Sequence, residues 1–255
     1  MKRIFVSIVS HGHDEMVRDL IRDLRKCPEI SQILVTNNIP GPVKYGFSEK
    51  VKIRINDRPL GYGANHNRAF EVCRTPFFCV INPDIRIHKN PFPVLLQSMK
   101  EQNVGVCAPQ ILSIDNKEED SHRRFPDLRA LLAKALRGRD GKVSTKQALL
   151  MERNSWLAGM FLFLRSEAFR NSGGFDDKFF LYYEDVDLCA RLIRRGYKVR
   201  SVPSVSVIHY ARRQSRRDLR YAVWHLQSMA RFLWKQLTGF YRLAPRRRPK
   251  MIPYH

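Results

Sequence analysis

Phe77-Phe78-Cys79-Val80-Ile81-Asn82-Pro83-Asp84 is the stretch from which the rest of the chain can be read. Five consecutive apolar residues leave no polar side for solvent, so the run is expected to be a strand buried on both faces, stopped by Asn82-Pro83-Asp84. Such a strand needs helices above and below it. Upstream, Ile4 to Val9 reads as a first strand, Asp14 to Arg25 as a helix, and Gln32 to Thr36 as a second strand ending at Asn37-Asn38. Val51 to Ile55 reads as a short strand, and Ala64 to Cys73 as a helix opened by Gly61-Tyr62-Gly63. This alternation predicts an α/β fold with a mainly parallel sheet flanked by helices, and ligands bind beyond the carboxyl ends of such strands. Ser10-His11-Gly12, Asn37-Asn38 and Asn82-Pro83-Asp84 are therefore expected to meet in one cleft.

Downstream, residues 115–155 turn polar and basic, with Arg123-Arg124-Phe125-Pro126 followed by a Leu/Ala-rich helix carrying Arg129, Lys134, Arg137 and Arg139. This segment is expected to be a mobile insertion over the cleft. Trp156 to Leu164 resumes buried strand, Glu184 to Arg194 reads as a helix, and Lys198 to Val207 as a pair of short strands or one extended run ending at His209. Between Asp218 and Leu237 the apolar residues Leu219, Val223, Leu226, Ala230, Leu233 and Leu237 recur every three or four positions, the mark of an amphipathic helix. The predicted organisation is an α/β domain over 1–214, an amphipathic helix over 215–238 and a basic tail over 239–255, rich in Pro and Arg and expected to be poorly ordered.

Across 255 residues, 46 Lys and Arg against 24 Asp and Glu give a formal charge of +22. A partner should therefore be polyanionic: nucleic acid, an anionic membrane face or phosphorylated ligands. The five cysteines, at 27, 73, 79, 107 and 189, form no close pair with metal-ligand spacing and read as small core residues in a reducing, cytoplasmic setting. The N-terminal apolar run meets His11-Gly12-His13-Asp14 without a small-residue cleavage site, so it reads as a buried strand and not a signal peptide. Nothing approaches the roughly 18 apolar residues of a spanning helix. Membrane association is expected to be peripheral.

Gly173 to Leu188, Gly-Gly-Phe-Asp-Asp-Lys-Phe-Phe-Leu-Tyr-Tyr-Glu-Asp-Val-Asp-Leu, sets Glu184, Asp185 and Asp187 before or within the first turn of a helix, among aromatics able to line a dry pocket. Such acids cap helices, and they are also candidates for proton transfer. Asp84, at the sheet's carboxyl edge, suits a hard divalent cation that also binds a diphosphate, or simply closes a turn. Two glycines before a helix at Gly61 and Gly63 resemble a phosphate cradle but lack GxGxxG and GK[ST] spacing, so a plain helix-start turn remains open. His209 is either structural or, near Asp84, a metal ligand through its neutral imidazole. His11 and His13, flanking Gly12, either contact substrate or cap a turn.

The ordered set Ile8-Val9-Ser10-His11-Gly12-His13, Gly61-Tyr62-Gly63-x-Asn65, Asn82-Pro83-Asp84, Trp156-Leu157-Ala158-Gly159-Met160 and Gly173-Gly174-Phe175-Asp176 through Glu184-Asp185-x-Asp187-Leu188-Cys189 resembles family 2 inverting glycosyltransferases of the GT-A fold. Arg123-Arg124-Phe125-Pro126, His209-Tyr210-Ala211 and Trp224-His225-Leu226 are similar to features of bacterial rhamnosyltransferases that act on polyprenyl-diphosphate-linked N-acetylglucosamine. The resemblance implies a GT-A, Rossmann-like sheet and transfer of a sugar, L-rhamnose from dTDP-L-rhamnose or another sugar from a UDP-sugar, in O-antigen or cell-wall synthesis. It makes Asp185 the general base, with Glu184 beside it. Asp84 stands at the last acid of the family's DxD motif and would hold Mg or Mn, with His209 as a further ligand. Ser10, His11, Gly12, Asn37, Asn38, Gly61, Gly63, Asn65 and Asn82 would surround the nucleotide sugar, and Arg123, Arg124, Trp156, Gly159 and Tyr183 the acceptor. Asn82 replaces the first acid of DxD, leaving a metal fewer anionic ligands. Asn37 stands where many members carry an Asp, and its carboxamide still accepts a hydrogen bond.

A lipid diphosphate acceptor lies at an anionic membrane face, where each nearby Lys or Arg contributes about 1 kcal/mol. The segment Arg123 to Arg139 and the helix Arg216 to Leu237 are therefore expected to dock on the inner face of the bacterial cytoplasmic membrane, unless that last helix packs on the catalytic domain or on a second subunit in a homodimer. A nucleic-acid-binding protein fits the charge, but no recognised binding motif is present, so no nucleic-acid partner is expected. A nucleotidyltransferase on a similar sheet would release pyrophosphate. The aromatic and acidic cluster at 173 to 188 speaks against both.

Overall fold

Two runs without a polar side, β1 (Ile4–Ser10) and β4 (Phe77–Ile81), pair in parallel at the middle of an eight-stranded sheet. The computed structural model describes residues 3–43, 45–46, 48–126, 155–210 and 219–241. Outward from β1 lie β2 (Ile30–Asn37) and β3 (Val51–Ile55), both parallel. On the other side of β4 the direction reverses. β9 (Phe161–Arg165) is antiparallel to β4 and to β6 (Val104–Ser113), and β10 (Lys198–His209) runs parallel to β6. The two-residue β5 (Ile85–Arg86) closes the edge against β10. The sheet is thus mixed and mainly parallel. A separate two-stranded ribbon joins β7 (His122–Arg124) to β8 (Ser155–Leu157).

The period-2 alternation of β1 divides the core. Ile4, Val6 and Ile8 pack with Val17, Leu20 and Leu24 of α1 (Asp14–Arg25) and with Phe92 and Leu95 of α3 (Phe92–Ser98). Phe5 faces the opposite way, with Phe78, and meets Ala69 of α2 (Tyr62–Phe70), Phe169 of α4 (Ser166–Asn171) and Leu188 and Leu192 of α5 (Glu184–Arg194). Phe78 has no exposed surface, stacks on Phe5 and meets Phe70 edge-on and Phe169 at a tilt, so truncation to Ala is expected to cost about 3–5 kcal/mol. All five cysteines are buried and free, as core residues.

The C-terminal helix α6 (Leu219–Leu237) packs on this body through Phe232, which is fully buried against Phe125, Tyr183 and Tyr241. One face of the helix thus packs on the α/β domain. Lys235 fixes it further, donating to Asp176 at 2.5 Å and to the buried Asp187 at 2.6 Å. Trp156 to Leu164 is not one strand but two, β8 and β9, because Ala158-Gly159-Met160 leaves the ribbon to meet α5. The Leu/Ala-rich basic stretch after Pro126, with Arg129, Lys134, Arg137 and Arg139, and the tail from 242 lie outside the described residues. Among the described residues no helix is long and apolar enough to cross a membrane.

Candidate active site

The parallel strands end together. Asn38 N–H donates to the Ser10 carbonyl at 2.7 Å, and Asn56 N–H to the Asn37 carbonyl at 3.0 Å, so the tips of β1, β2 and β3 are stitched into one rim. Asn82 continues that rim from β4, its N–H donating to Met160 O at 2.9 Å.

Across the rim stands the N-terminus of α5. Its approach is strained: Tyr182 and Tyr183 both lie in the left-handed region, with φ of 70° and 64°. Such conformations cost about 1–3 kcal/mol each and persist only where surrounding contacts fix them. Here the contacts come from Asn67, which donates to Phe175 O and accepts from Phe175 N–H, both at 2.8 Å. Gly174, at φ 68°, comes so close that an added Cβ would lie 2.5 Å from Asn67 Oδ1.

Asp185 is the polar centre of this side. Oδ2 accepts from Gly159 N–H at 2.7 Å and Oδ1 from Val186 N–H at 2.8 Å. Burial pushes its pKa up, against the pull of those N–H groups and of the Arg123 guanidinium. Glu184 is more deeply buried, and its Oε2 has no partner. Burial first, and the Asp185 charge second, hold Glu184 well above the usual carboxyl range. Two adjacent carboxyls in this setting do not both ionise readily, and the one that receives two N–H donors, Asp185, holds a charge more readily than Glu184.

The residues expected at the acceptor side gather near Asp185. Arg123 lies over the Trp156 ring at 5.6 Å, pairs with Asp120 at 2.9 Å, and acts electrostatically on Asp185 and Tyr183. Trp156 donates from Nε1 to Arg124 O at 3.1 Å, fixing the ribbon. The Arg124 side chain is exposed.

Tyr62, missed as a site residue in the sequence, bridges the two sides. Its hydroxyl is 2.9 Å from Asn82 Oδ1 and 2.7 Å from Gly159 O, the residue whose N–H holds Asp185. Burial first, then the acidic groups of Glu184, Asp185 and Asp84 nearby, drives its pKa well up, so the neutral phenol is kept.

Asp84 meets His209, the histidine expected near it. His209 Nε2 lies 3.1 Å from Asp84 Oδ2, and Nδ1 lies 2.7 Å from Glu119 Oε2. Burial lowers the imidazole pKa, but the two carboxylates outweigh it and raise it to about 9. His209 is therefore held between two acids that favour its protonated form when no cation is bound. Among the described residues no three His, Cys, Asp or Glu side chains are disposed to hold a metal ion. Asp84 Oδ1, however, is buried without a partner, and an unclaimed carboxylate oxygen beside the strand tip fits a hard cation whose remaining ligands are diphosphate and water.

The expected nucleotide residues divide. Ser10 is buried, its Oγ accepting from His13 N–H at 3.1 Å; His11 is exposed; Gly12 turns the chain at φ 79°. Asn37 donates to Ile39 O at 2.9 Å and leaves Oδ1 buried and unpaired. Asn38 and Asn65 are different: with Asn56 they form a buried amide network, Asn38 Oδ1 accepting from Asn56, Asn65 and Leu60 N–H at 2.8 to 3.0 Å. Their polar atoms are consumed in holding β2, β3 and α2 together, so they shape the site without facing it. Gly61 and Gly63 also correct the phosphate-cradle expectation, because an added Cβ would meet Phe180 O at 2.9 Å and Phe175 Cβ at 2.6 Å. These glycines admit the 173–183 segment against α2, whose first N–H is capped by Phe180 O at 2.9 Å.

A sequence-family model described as glycosyl transferase family group 2 matches residues 78–246, spanning β4, the 173–188 segment and α6. The chain belongs to this family. It is a glycosyltransferase. The transferase is 26% identical over 243 residues to rhamnosyltransferase WbbL of Escherichia coli (strain K12), covering 90% of this chain and 92% of that one. It is 31% identical over 209 residues to N-acetylglucosaminyl-diphospho-decaprenol L-rhamnosyltransferase of Mycobacterium tuberculosis (strain ATCC 25618 / H37Rv), covering 74% and 68%. Among solved structures, GalNAc-T7 with UDP, GalNAc and Mn2+ superposes with a TM-score of 0.65 at 16% identity, over 83% of this chain and 44% of that one. Mannosyltransferase PcManGT from Pyrobaculum calidifontis, with GDP-Man and Mn2+, gives 0.58 at 11%, over 90% and 64%. The transferase has the GT-A fold.

Proposed function

We propose that this transferase moves L-rhamnose from dTDP-L-rhamnose, with inversion, to a polyprenyl-diphosphate-linked N-acetylglucosamine in bacterial O-antigen or cell-wall synthesis, working as a peripheral protein on the inner face of the cytoplasmic membrane. The relatives named as rhamnosyltransferases support the sugar and the acceptor. One observation carries the reading: the Asp185 carboxylate at the helix start is held by two N–H groups, one of them from Gly159, whose carbonyl lies 2.7 Å from the Tyr62 hydroxyl that also lies 2.9 Å from Asn82 at the strand rim.

In this reading the acceptor hydroxyl lies against Asp185. As its oxygen bonds to the anomeric carbon, the bond from that carbon to the diphosphate oxygen breaks, the electron pair leaves with the nucleoside diphosphate, and the hydroxyl proton passes to Asp185. A raised pKa makes Asp185 a stronger base while its two N–H donors keep it ionised, and a positioned base of this kind contributes about 10²–10⁴-fold. Glu184, neutral and buried, holds no part in proton transfer. Arg123, stacked on Trp156, orients the acceptor's diphosphate and keeps Asp185 anionic. Ser10, Asn37 and Asn82 line the donor side, with the unpaired Asn37 Oδ1 accepting from the base. A divalent cation, Mg or Mn, held by Asp84 would neutralise the departing diphosphate when bound.

The test is a donor screen with purified protein, measuring nucleoside diphosphate release with and without a lipid-diphosphate acceptor and with EDTA. Acceptor-dependent release from dTDP-L-rhamnose is expected. Release from UDP-sugars alone would replace the donor assignment, and the absence of release from every nucleotide sugar would refute the reading.

A further inference from the structure

α6 has two faces of opposite character. The inner one is fixed to the body: Phe232 is buried, Lys235 reaches Asp176 and Asp187, and Ser228 Oγ donates to Leu181 O at 2.9 Å. At 3.6 residues per turn the positions diametrically opposite are Leu219, Val223, Leu226, Ala230, Trp234 and Leu237, one stripe along the full length of the helix. These side chains stand in solvent, Leu219 at 84%, Trp234 at 68% and Leu226 at 58% exposure. Arg220 and Arg231, the latter over the Phe179 ring at 5.9 Å, run along one edge of the stripe, and on the inner side the half-exposed Phe180 packs on Trp224 with ring centroids 4.8 Å apart.

We propose that this outer face of α6 is the docking surface for an anionic lipid bilayer, with the Leu and Trp side chains at the depth of the headgroup boundary and the arginines on the lipid phosphates. The choice of a lipid surface rests on the lipid-linked acceptor proposed above; the face itself does not. Three observations favour lipid over a second copy of the chain. The helix is already anchored on its other side, so the stripe contributes nothing to the fold and exposes an apolar surface that soluble proteins ordinarily suppress. Tryptophan with leucine on one face and arginine along its rim is the composition that lies in a bilayer interface. A formal charge of +22 on each copy opposes self-association and favours an anionic surface. The arrangement also has a geometric consequence: Ser228 holds Leu181, two residues before Tyr183 and the start of α5, so docking of α6 sets the acceptor side of the cleft near the headgroups.

Full-length protein is sedimented with vesicles of phosphatidylcholine alone or containing about one-third phosphatidylglycerol. The wild type is expected to pellet with the anionic vesicles and to dissociate as salt is raised. L226Q/W234Q is expected to partition at least about tenfold more weakly while retaining the wild-type rate of nucleoside diphosphate release with a water-soluble, short-chain acceptor. Both residues are exposed, so the variant keeps the core intact. Equal pelleting of variant and wild type overturns the proposal, as does a wild type that stays in the supernatant. A dimer in sedimentation velocity that L226Q/W234Q splits assigns the face to a second copy instead. Vesicle binding is scored without donor, so binding without transfer refutes the proposed reaction and leaves the docking face standing.

Discussion

Replacing Asp185 by Asn tests the assignment of the base, because the carboxamide keeps the shape and removes both the charge and one acceptor. In the wild type, Gly159 N–H and Val186 N–H each meet a carboxylate oxygen, at 2.7 and 2.8 Å. An amide offers a single oxygen, so one N–H loses its acceptor, at about 1–3 kcal/mol. Against that, the variant no longer buries a carboxylate whose pKa is raised by desolvation, a gain at neutral pH. The two changes oppose each other, and the net effect on Tm should stay within about 8 °C for a chain of this length. Turnover responds quite differently: loss of the proton acceptor is expected to lower kcat by about 10²–10⁴-fold, or about 3–5 kcal/mol in the barrier, with donor KM changed less than about threefold. The pH profile gives a second readout. With Asp185 raised above its ordinary value, wild-type kcat/KM should climb with unit slope through that pKa and level off, and the Asn variant should lose the acidic limb. A variant that folds, binds donor and retains more than about a tenth of wild-type kcat would show that another group takes the proton.

Glu184→Gln should leave kcat within about threefold, since a neutral side chain is replaced by another; a loss as large as that of Asp185→Asn would restore Glu184 to catalysis. The same variant bears on stability: a carboxyl with a raised folded pKa stabilises below its ordinary value of 4.5 and loses that contribution as pH rises through the folded value, so urea unfolding from pH 5 to 8 should show a decline that Gln removes. His209, raised to about 9 from 6.5, contributes in full below pH 6.5 and is lost as pH rises through 9; with EDTA present the wild type should lose about 2–4 kcal/mol over that interval and His209→Gln should not. Tyr62→Phe removes the hydroxyl shared by Asn82 and Gly159, and is expected to lower kcat/KM about five- to tenfold with Tm down by no more than a few degrees; unchanged kinetics would show that the bridge does not position either side.

What the sequence disclosed depended on the range of the interactions concerned. β4 and β1 were legible because continuous apolar runs carry their own signal, and α1 spans Asp14 to Arg25 as its periodicity predicts. β6, with Gly105 and Pro109 inside it, carries a weak strand signal; Pro109 lies beyond Val106 and Cys107, the two positions paired to β9, and faces Val202 of β10 where that pairing shifts register. α4, six residues long, is too short to show a period. The same rule holds at the site. Asp185 could be singled out because three acids and several aromatics crowd one stretch. Tyr62 could not, since its partners are 20 and 97 residues away and nothing local distinguishes it from the glycines on either side. Asn38 and Asn65 were legible as polar residues at strand and helix ends, but only their burial beside Asn56 shows that their amides serve one another.

One chain of contacts links the outer helix to the turn that carries Asp185. Asp187, with no exposed surface, accepts from Arg191 at 2.7 Å, from Lys235 of α6 at 2.6 Å, and from the Tyr241 hydroxyl beyond the helix end. Arg191 also donates to the carbonyls of Ser172 and Gly174, the hinge of the segment that leads into the strained Tyr182-Tyr183 pair. A buried carboxylate with three donors is worth little as net stability, since its desolvation offsets most of the attraction, but removing any one donor is costly. Its consequence is geometric: α6, the Gly173-Gly174 turn and the first turn of α5 are tied to a single atom group two residues from Asp185. The strain at Tyr182 and Tyr183 persists because Asn67 holds the segment from one side and Ser228 and Phe232 hold it from the other. The helix that presents an apolar stripe outward is thus also the buttress that keeps the first turn of α5, and with it Asp185, in place.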